Sequence, residues 1–168
     1  MDALTFRDAM SFLSGAVNII TTNGPSGRHG FTASAVCSVT DQPPTLLVCM
    51  NNGSASHVHF QNNAFLSVNV LRAGHEGISQ AFANRHISME ERFAAGAWTV
   101  LQSGAPILTE ALVNFDCRIV ASHEVGTHTI FYSEVLAVRC GEGDDEAQQG
   151  LVYFNRRYHH VGKMAQVG

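Results

Sequence analysis

Gly30-Phe31-Thr32-Ala33-Ser34-Ala35-Val36-Cys37-Ser38-Val39-Thr40, continued by Asp41-Gln42-Pro43-Pro44 and Thr45-Leu46-Leu47-Val48-Cys49-Met50-Asn51, is the stretch on which the fold of this 168-residue chain turns. Two apolar-rich runs flank a proline turn, which predicts two strands joined by a tight connection. The first run is odd for a strand, because small and hydroxyl-bearing residues crowd it. Gly30, Ala33, Ser34, Ala35 and Ser38 leave space above the backbone, and N–H groups and hydroxyls remain free to donate. A flat, acceptor-rich ring needs such a surface to lie on. A core strand kept small for close sheet packing has the same composition, so spacing alone leaves both readings open.

Outward from this pair the chain alternates quickly between short elements. Thr5 is a candidate cap for an opening helix with Phe6, Ala9, Met10 and Leu13 at helical spacing, ending near Gly15. Residues 17–22 read as a strand, turned by Asn23-Gly24-Pro25-Ser26-Gly27 into the small-residue run. Asn52-Gly53-Ser54-Ala55-Ser56 opens a helix that runs through Val58 and Phe60, and residues 65–71 are extended. His75 to Asn84 is helical with Ile78, Ala81 and Phe82 on one side, and residues 98–102 are extended. Long β-rich runs follow at 112–122, 127–139 and 150–155, with the acidic link Gly141-Glu142-Gly143-Asp144-Asp145-Glu146 expected as an exposed hairpin loop. Many short antiparallel strands with few helices predict a mainly β fold, a barrel with helical decoration. The length is one domain's worth, so residues 1–168 are read as a single domain.

Composition narrows the function classes. The charged fraction of 14% is well below the usual quarter, as expected when part of the surface is hidden in an oligomer. A net charge of −4 with no basic run speaks against nucleic acid and against an anionic membrane surface. No segment approaches the roughly eighteen continuous apolar residues of a membrane span. Met1 to Asp8 carries acids where a signal peptide needs a basic lead, so a soluble, cytoplasmic protein is expected. Cys37, Cys49, Cys117 and Cys140 stand far apart beside apolar runs and read as buried thiols in a reducing compartment. Among the nine histidines the close pairs are His57-Val58-His59 and His159-His160. Neither spacing aims both rings at one point, and no Cys or acid completes a set, so no metal is expected. Gly-x-Gly-x-x-Gly after a strand, Gly-x-Ser-x-Gly and the P-loop pattern are not found.

The small-residue strand pair resembles the flavin-binding strands of the short-chain flavin reductases. The likeness continues in Phe6-Arg7-Asp8-Ala9-Met10, Ala16-Val17-Asn18-Ile19-Ile20-Thr21-Thr22, Val68-Asn69-Val70-Leu71, Met89-Glu90-Glu91-Arg92-Phe93, Gly126-Thr127-His128 and Tyr153-Phe154-Asn155-Arg156-Arg157-Tyr158-His159. Within the family the pattern is most similar to the pyrimidine-utilisation and hydroxyphenylacetate-monooxygenase branches. A corrin reductase is a more distant look-alike with a similar Asn-Arg-Arg-Tyr-His ending. The resemblance implies an FMN-binding split β-barrel that pairs as a homodimer. It also implies hydride transfer from NADH or NADPH to FMN (or FAD) and delivery of reduced flavin to a separate flavin-dependent monooxygenase. The nicotinamide docks directly on the flavin, which accounts for an NAD(P)H enzyme without a Rossmann motif.

On the same resemblance the ring lies against Thr32, Ala33, Ser34 and Ser38, where N–H and hydroxyl donors suit its acceptor edge. Cys49, Asn51, Asn52, Ser54 and Ser56 form a strand end and a serine-rich turn before a helix, suited to the ribityl phosphate. Several relatives carry Arg directly after the Asn; Asn52 stands there in this chain, which removes a cation and implies flavin that is released. Phe82, Ala83 and Asn84 match a Phe-Ala-Gly stretch that borders the flavin, with Asn84 in place of Gly. Arg92, Arg157 and Tyr158 are candidate dinucleotide contacts, and His128 is the candidate catalytic residue beside the nicotinamide. Three function classes follow: a flavin reductase, a reductase of the same fold that serves a bound acceptor such as a corrin, and a flavin-binding module without turnover.

Overall fold

The computed structural model describes residues 1–142 and 148–162, so the acidic link expected at Gly141–Glu146 lies outside the described residues from 143 onward. The elements run α1 (Ala3–Met10), β1 (Gly15–Ala16), β2 (Asn18–Thr22), β3 (His29–Ala33), β4 (Val36–Asp41), β5 (Pro44–Asn51), α2 (His57–Asn63), β6 (Phe65–Val70) and α3 (Glu76–Ala83). They continue with α4 (Met89–Ala94), β7 (Trp98–Val100), β8 (Pro106–Leu108), β9 (Val113–Val125), β10 (His128–Cys140), β11 (Gly150–Phe154) and β12 (Arg157–Val161).

The main antiparallel sheet has the order β3-β2-β6-β9-β10-β5-β4. β3 and β4 therefore sit at opposite edges although only Ser34 and Ala35 separate them in sequence. The sheet must curl to bring its two edges toward each other, and the Cys49 N–H, donating to the Ala35 carbonyl at 3.0 Å, carries the β4–β5 ladder up to the bend. This is the split barrel. It also corrects the single strand expected from Gly30 to Thr40. A straight strand cannot pair with β2 at one edge and β5 at the other, so the chain bends at two small residues. The proline turn between β4 and β5 stands as expected.

Two apolar clusters pack on the two faces of this sheet. Ile20, Val48, Met50, Phe60, Leu66, Val68 and Phe131 fill one, with α2 covering it. Val17, Ile19, Leu71, Phe82, Phe93, Leu108 and Leu151 fill the other, under α3, α4 and β8. β2 is buried along its whole length because Ile19 and Ile20 belong to different clusters. Buried polar groups stitch the second layer down. The Asn69 amide donates to the Ile19 carbonyl at 2.8 Å and accepts from the Leu108 N–H at 2.7 Å. A separate small sheet, β1-β11-β12, flanks the barrel. Its hairpin turns through Asn155 and Arg156, both at positive φ (47 and 59), the geometry of a tight two-residue turn.

Other expectations are corrected locally. Asp2, not Thr5, caps α1, because its carboxylate accepts from the Leu4 and Thr5 N–H groups. The apolar positions of α1 are not buried in this chain; Leu4 and Leu13 are each 68% exposed. α4 carries a full capping box, Ser88 with Glu91, that the sequence reading passed over. Of the cysteines only Cys117 is buried; Cys37 and Cys140 are exposed and Cys49 is half-buried, because their strands present one face outward. Among the described residues no helix is long and apolar enough to cross a membrane, and no group of three or more His, Cys, Asp or Glu is placed to hold a metal.

Candidate functional site

Three cavities meet around the end of β3. A polar cleft of about 380 Å³ runs between β3, the end of β5 and the Gly53–Ser56 turn on one side, and the end of α3 with Arg85 and Arg92 on the other. A largely apolar groove of about 960 Å³ lies between α1 and the β4–β5 face, with Ser34, Ala35, Cys37 and Cys49 in its wall. A smaller pocket of about 250 Å³ is enclosed by Val17, Thr32, Ala33, Ser34, Ser79, Ala83, Tyr153 and Tyr158. Thr32 and Ala83 line both cleft and small pocket, and Ser34 lines both groove and small pocket. The bend that closes the barrel is thus the junction of the cavities.

The small residues at this junction have a physical reason. A Cβ on Gly30 would stand 2.7 Å from the Phe82 ring and 3.0 Å from the Ile20 carbonyl oxygen. Phe82 is fully buried against Phe93 and Trp98, so its ring cannot yield. Thr32 turns its hydroxyl to the Ser79 carbonyl at 2.7 Å, which leaves the oxygen able to accept.

The turn after β5 is built from its own polar groups. The Asn51 side chain accepts from the Gly53 N–H at 2.7 Å, and the Ser54 N–H donates to the Asn51 carbonyl at 3.0 Å. The Ser54 hydroxyl oxygen accepts from the Ser56 N–H, so its O–H remains free to donate into the cleft. Ser56 precedes α2 without a side-chain capping bond. Asn52 turns away from the cleft. Its amide oxygen accepts from the Thr129 hydroxyl at 2.7 Å, and Thr129 in turn meets His57 Nε2 at 2.8 Å. Since Thr129 donates to Asn52, it accepts from His57, which therefore carries its proton on Nε2.

Charge in the cleft comes from arginine alone. Arg92 holds the Asn84 carbonyl at 2.7 Å and the Phe82 and Gly30 carbonyls at 3.3 and 3.4 Å. It is a clamp on the cleft wall with its Nε buried and unpartnered, and burial lowers its pKa. Arg85, which the sequence reading did not single out, opens into the same cleft. Its only signal was its place directly after Phe82-Ala83-Asn84. In the groove, burial first and then Cys37 push the Cys49 thiol upward, so Cys49 is a neutral wall residue.

The structure brings together Thr32, Ala33, Ser34, Cys49, Asn51, Ser54, Ser56, Phe82, Ala83, Arg92 and Tyr158 in the cavity walls. Ser38 lies outside them on β4, and Arg157 on β12. Asn84 caps α3 and offers its backbone carbonyl to Arg92 rather than its side chain to the cleft. His128, exposed at the start of β10, is also outside the cavity walls; it pairs in register with Asn51, which lines the cleft, and its Nδ1 lies 3.0 Å from the Thr127 hydroxyl. Ser79 and Tyr153, which were not among the candidate site residues, also line the small pocket.

Comparison with known proteins shows the family and the fold. The family described as flavin reductase like domain matches residues 10–162. The FMN reductase (NADH) RutF of Ancylobacter novellus is 54% identical over 156 residues, which cover 93% of this chain and 83% of that protein. A crystal structure from Haemophilus somnus, assigned as a flavin reductase, is 47% identical with a TM-score of 0.90, covering 96% of this chain and 100% of that one. BorF, the flavin reductase component of a bacterial two-component tryptophan halogenase, is 26% identical with a TM-score of 0.87, covering 97% of this chain and 100% of that one.

Proposed function

The chain belongs to the flavin reductase like domain family, and on that premise we propose that it transfers hydride from NADH to FMN and hands the reduced flavin to a separate monooxygenase component. The junction of three cavities at the Thr32–Ser34 bend carries this reading. A flavin mononucleotide is a flat ring with a phosphate tail, and both halves find matching chemistry. The Ser34–Ala35 bend and Cys49 offer a flat, neutral wall for the ring. The Ser54 and Ser56 hydroxyls and the Arg85 guanidinium offer donors and charge for the phosphate, with no carboxylate in that cleft to oppose it. The small pocket beside Thr32, walled by two tyrosines, suits a nicotinamide ring.

When bound, nicotinamide and flavin supply the hydride chemistry themselves. The protein's part is placement. Ala33 admits a ring close to the backbone, Gly30 makes room for the Phe82 ring that backs the site, Thr32 keeps a hydroxyl oxygen at the junction, and Arg92 fixes the strand-to-helix wall behind them. His128, in register with Asn51 of the cleft and exposed, is assigned to hydrogen-bond the nicotinamide amide or to pass a proton to solvent. Asn52, drawn inward to Thr129, adds no cation to the phosphate turn itself and leaves Arg85 across the cleft as the charge for the phosphate, which suits flavin held weakly enough to leave.

We further infer a homodimer that covers the groove. Leu4, Phe6, Phe12 and Leu13 are each at least half exposed, and such an apolar face needs a partner. A cytoplasmic site suits an enzyme that draws on NADH and has free cysteines. NADH oxidation measured with free FMN, FAD or riboflavin tests the activity: turnover that scales with FMN is expected. Oxidation that requires a corrin would assign the reductase of a bound acceptor instead, and no oxidation would leave a binding module.

A further inference from the structure

Ser79 is fully buried in the middle of α3, where a hydroxyl is costly unless it is paired. Its N–H is spent on the His75 carbonyl, as a helix requires. Its Oγ lies 2.9 Å from the Tyr158 phenol oxygen, and its carbonyl accepts the Thr32 hydroxyl at 2.7 Å. One residue therefore holds two opposite walls of the small pocket, one from β3 and one from β12. Those walls are not paired with each other directly, because β3 belongs to the barrel sheet and β12 to the small sheet. One helical turn away His160 and Glu76 join the same two elements at 2.5 Å, but both side chains are partly exposed. The buried contact is the firmer latch. Tyr158 also stands edge-on to Tyr153 at 5.5 Å, so a phenol released from Ser79 would let both rings shift within the pocket.

We propose that Ser79 is a positioning residue that, through Tyr158, sets the width of the pocket receiving the nicotinamide; the inference rests on the reading of that pocket given above. The test compares Ser79→Ala, Tyr158→Phe and the double variant in steady-state NADH oxidation with saturating FMN, alongside FMN titration and thermal unfolding. Ser79→Ala keeps the carbonyl that holds Thr32 and favours the helix, and Tyr158→Phe keeps the ring, so each removes the same hydrogen bond. Losing one such bond is expected to raise the KM for NADH about threefold to tenfold in each variant. The kcat and the FMN affinity should stay within about twofold, and the double variant should be no worse than the weaker single one. An unchanged KM in both single variants overturns the inference, as does a loss of FMN affinity and of Tm without a change in KM. Additive effects overturn it too, since they deny a shared bond. A wild-type protein that does not oxidise NADH with FMN overturns the underlying reading; one that turns over while the variants keep its KM overturns this inference alone.

Discussion

At the scale of the residue, His128 and Gly30 carry the sharpest expectations. His128 pairs in register with Asn51, which lines the cleft. His128→Ala is expected to raise the KM for NADH about threefold to tenfold, the worth of one hydrogen bond, with flavin affinity nearly intact. A further loss toward about a hundredfold in the reduction rate would mark proton transfer as well. Stopped-flow reduction across NADH concentrations reads both, and an unchanged rate would remove His128 from the site. Gly30 is bounded by ring and backbone together. Gly30→Ala should cost about 1–3 kcal/mol through overpacking against Phe82, seen as a lower urea midpoint at constant slope. The same change should lower FMN binding, because Arg92 grips the carbonyls of both Gly30 and Phe82.

At the scale of the element, β3 and α2 are joined by a stacked pair of imidazoles. The His29 and His59 rings lie 3.3 Å apart at 12°. His59 Nδ1 is held by Ser26, and Asn63 ties α2 to the same loop through the Ser26 N–H and the Gly27 carbonyl. Burial first, then His59 and Arg92, lower the pKa of His29 from 6.5 to about 4. The unfolded chain takes up this proton near pH 6.5 and the folded one only near 4, so the unfolded state binds more protons in between. The contribution to stability is complete above pH 6.5 and is lost as the pH falls toward 4. Thermal unfolding should therefore weaken over that window, and His29→Gln should flatten the dependence. An identical pH profile in the variant would dismiss the stack as its source.

At the scale of the whole molecule, the exposed apolar face of α1 is the feature a lone chain does not explain. α1 buries none of its residues, yet it is pinned in place by Asp8 to Arg156, by the Asn155 N–H on the Ser11 carbonyl, and by Phe12 edge-on to Phe154. The proposed homodimer would cover this face. Light scattering should return twice the mass of one chain, and Leu4→Asp with Leu13→Asp should shift the protein toward monomer and reduce FMN turnover. A monomer of undiminished activity would separate the groove from assembly.

The sequence by itself determined the class of fold, the family and most of the cavity wall. Those are written in local pattern: alternating strands, proline and glycine turns, and a small-residue run set among family motifs in the same order. It singled out Thr32, Ser34, Ser54 and Phe82, which do line the cavities, because their spacing from the turn and helix starts is short-range information. Only the tertiary structure decided that the run breaks at Ser34 and Ala35, because the break answers to where β2 and β5 lie in a curled sheet. It also turned Asn52 inward to Thr129, spent Arg92 on three carbonyls, and brought Ser79 to Tyr158 across the chain. A hydrogen-bonding side chain carries no mark of its partner until folding sets the two side by side. Sequence therefore shows which groups are available to a site, and packing decides which of them are already taken.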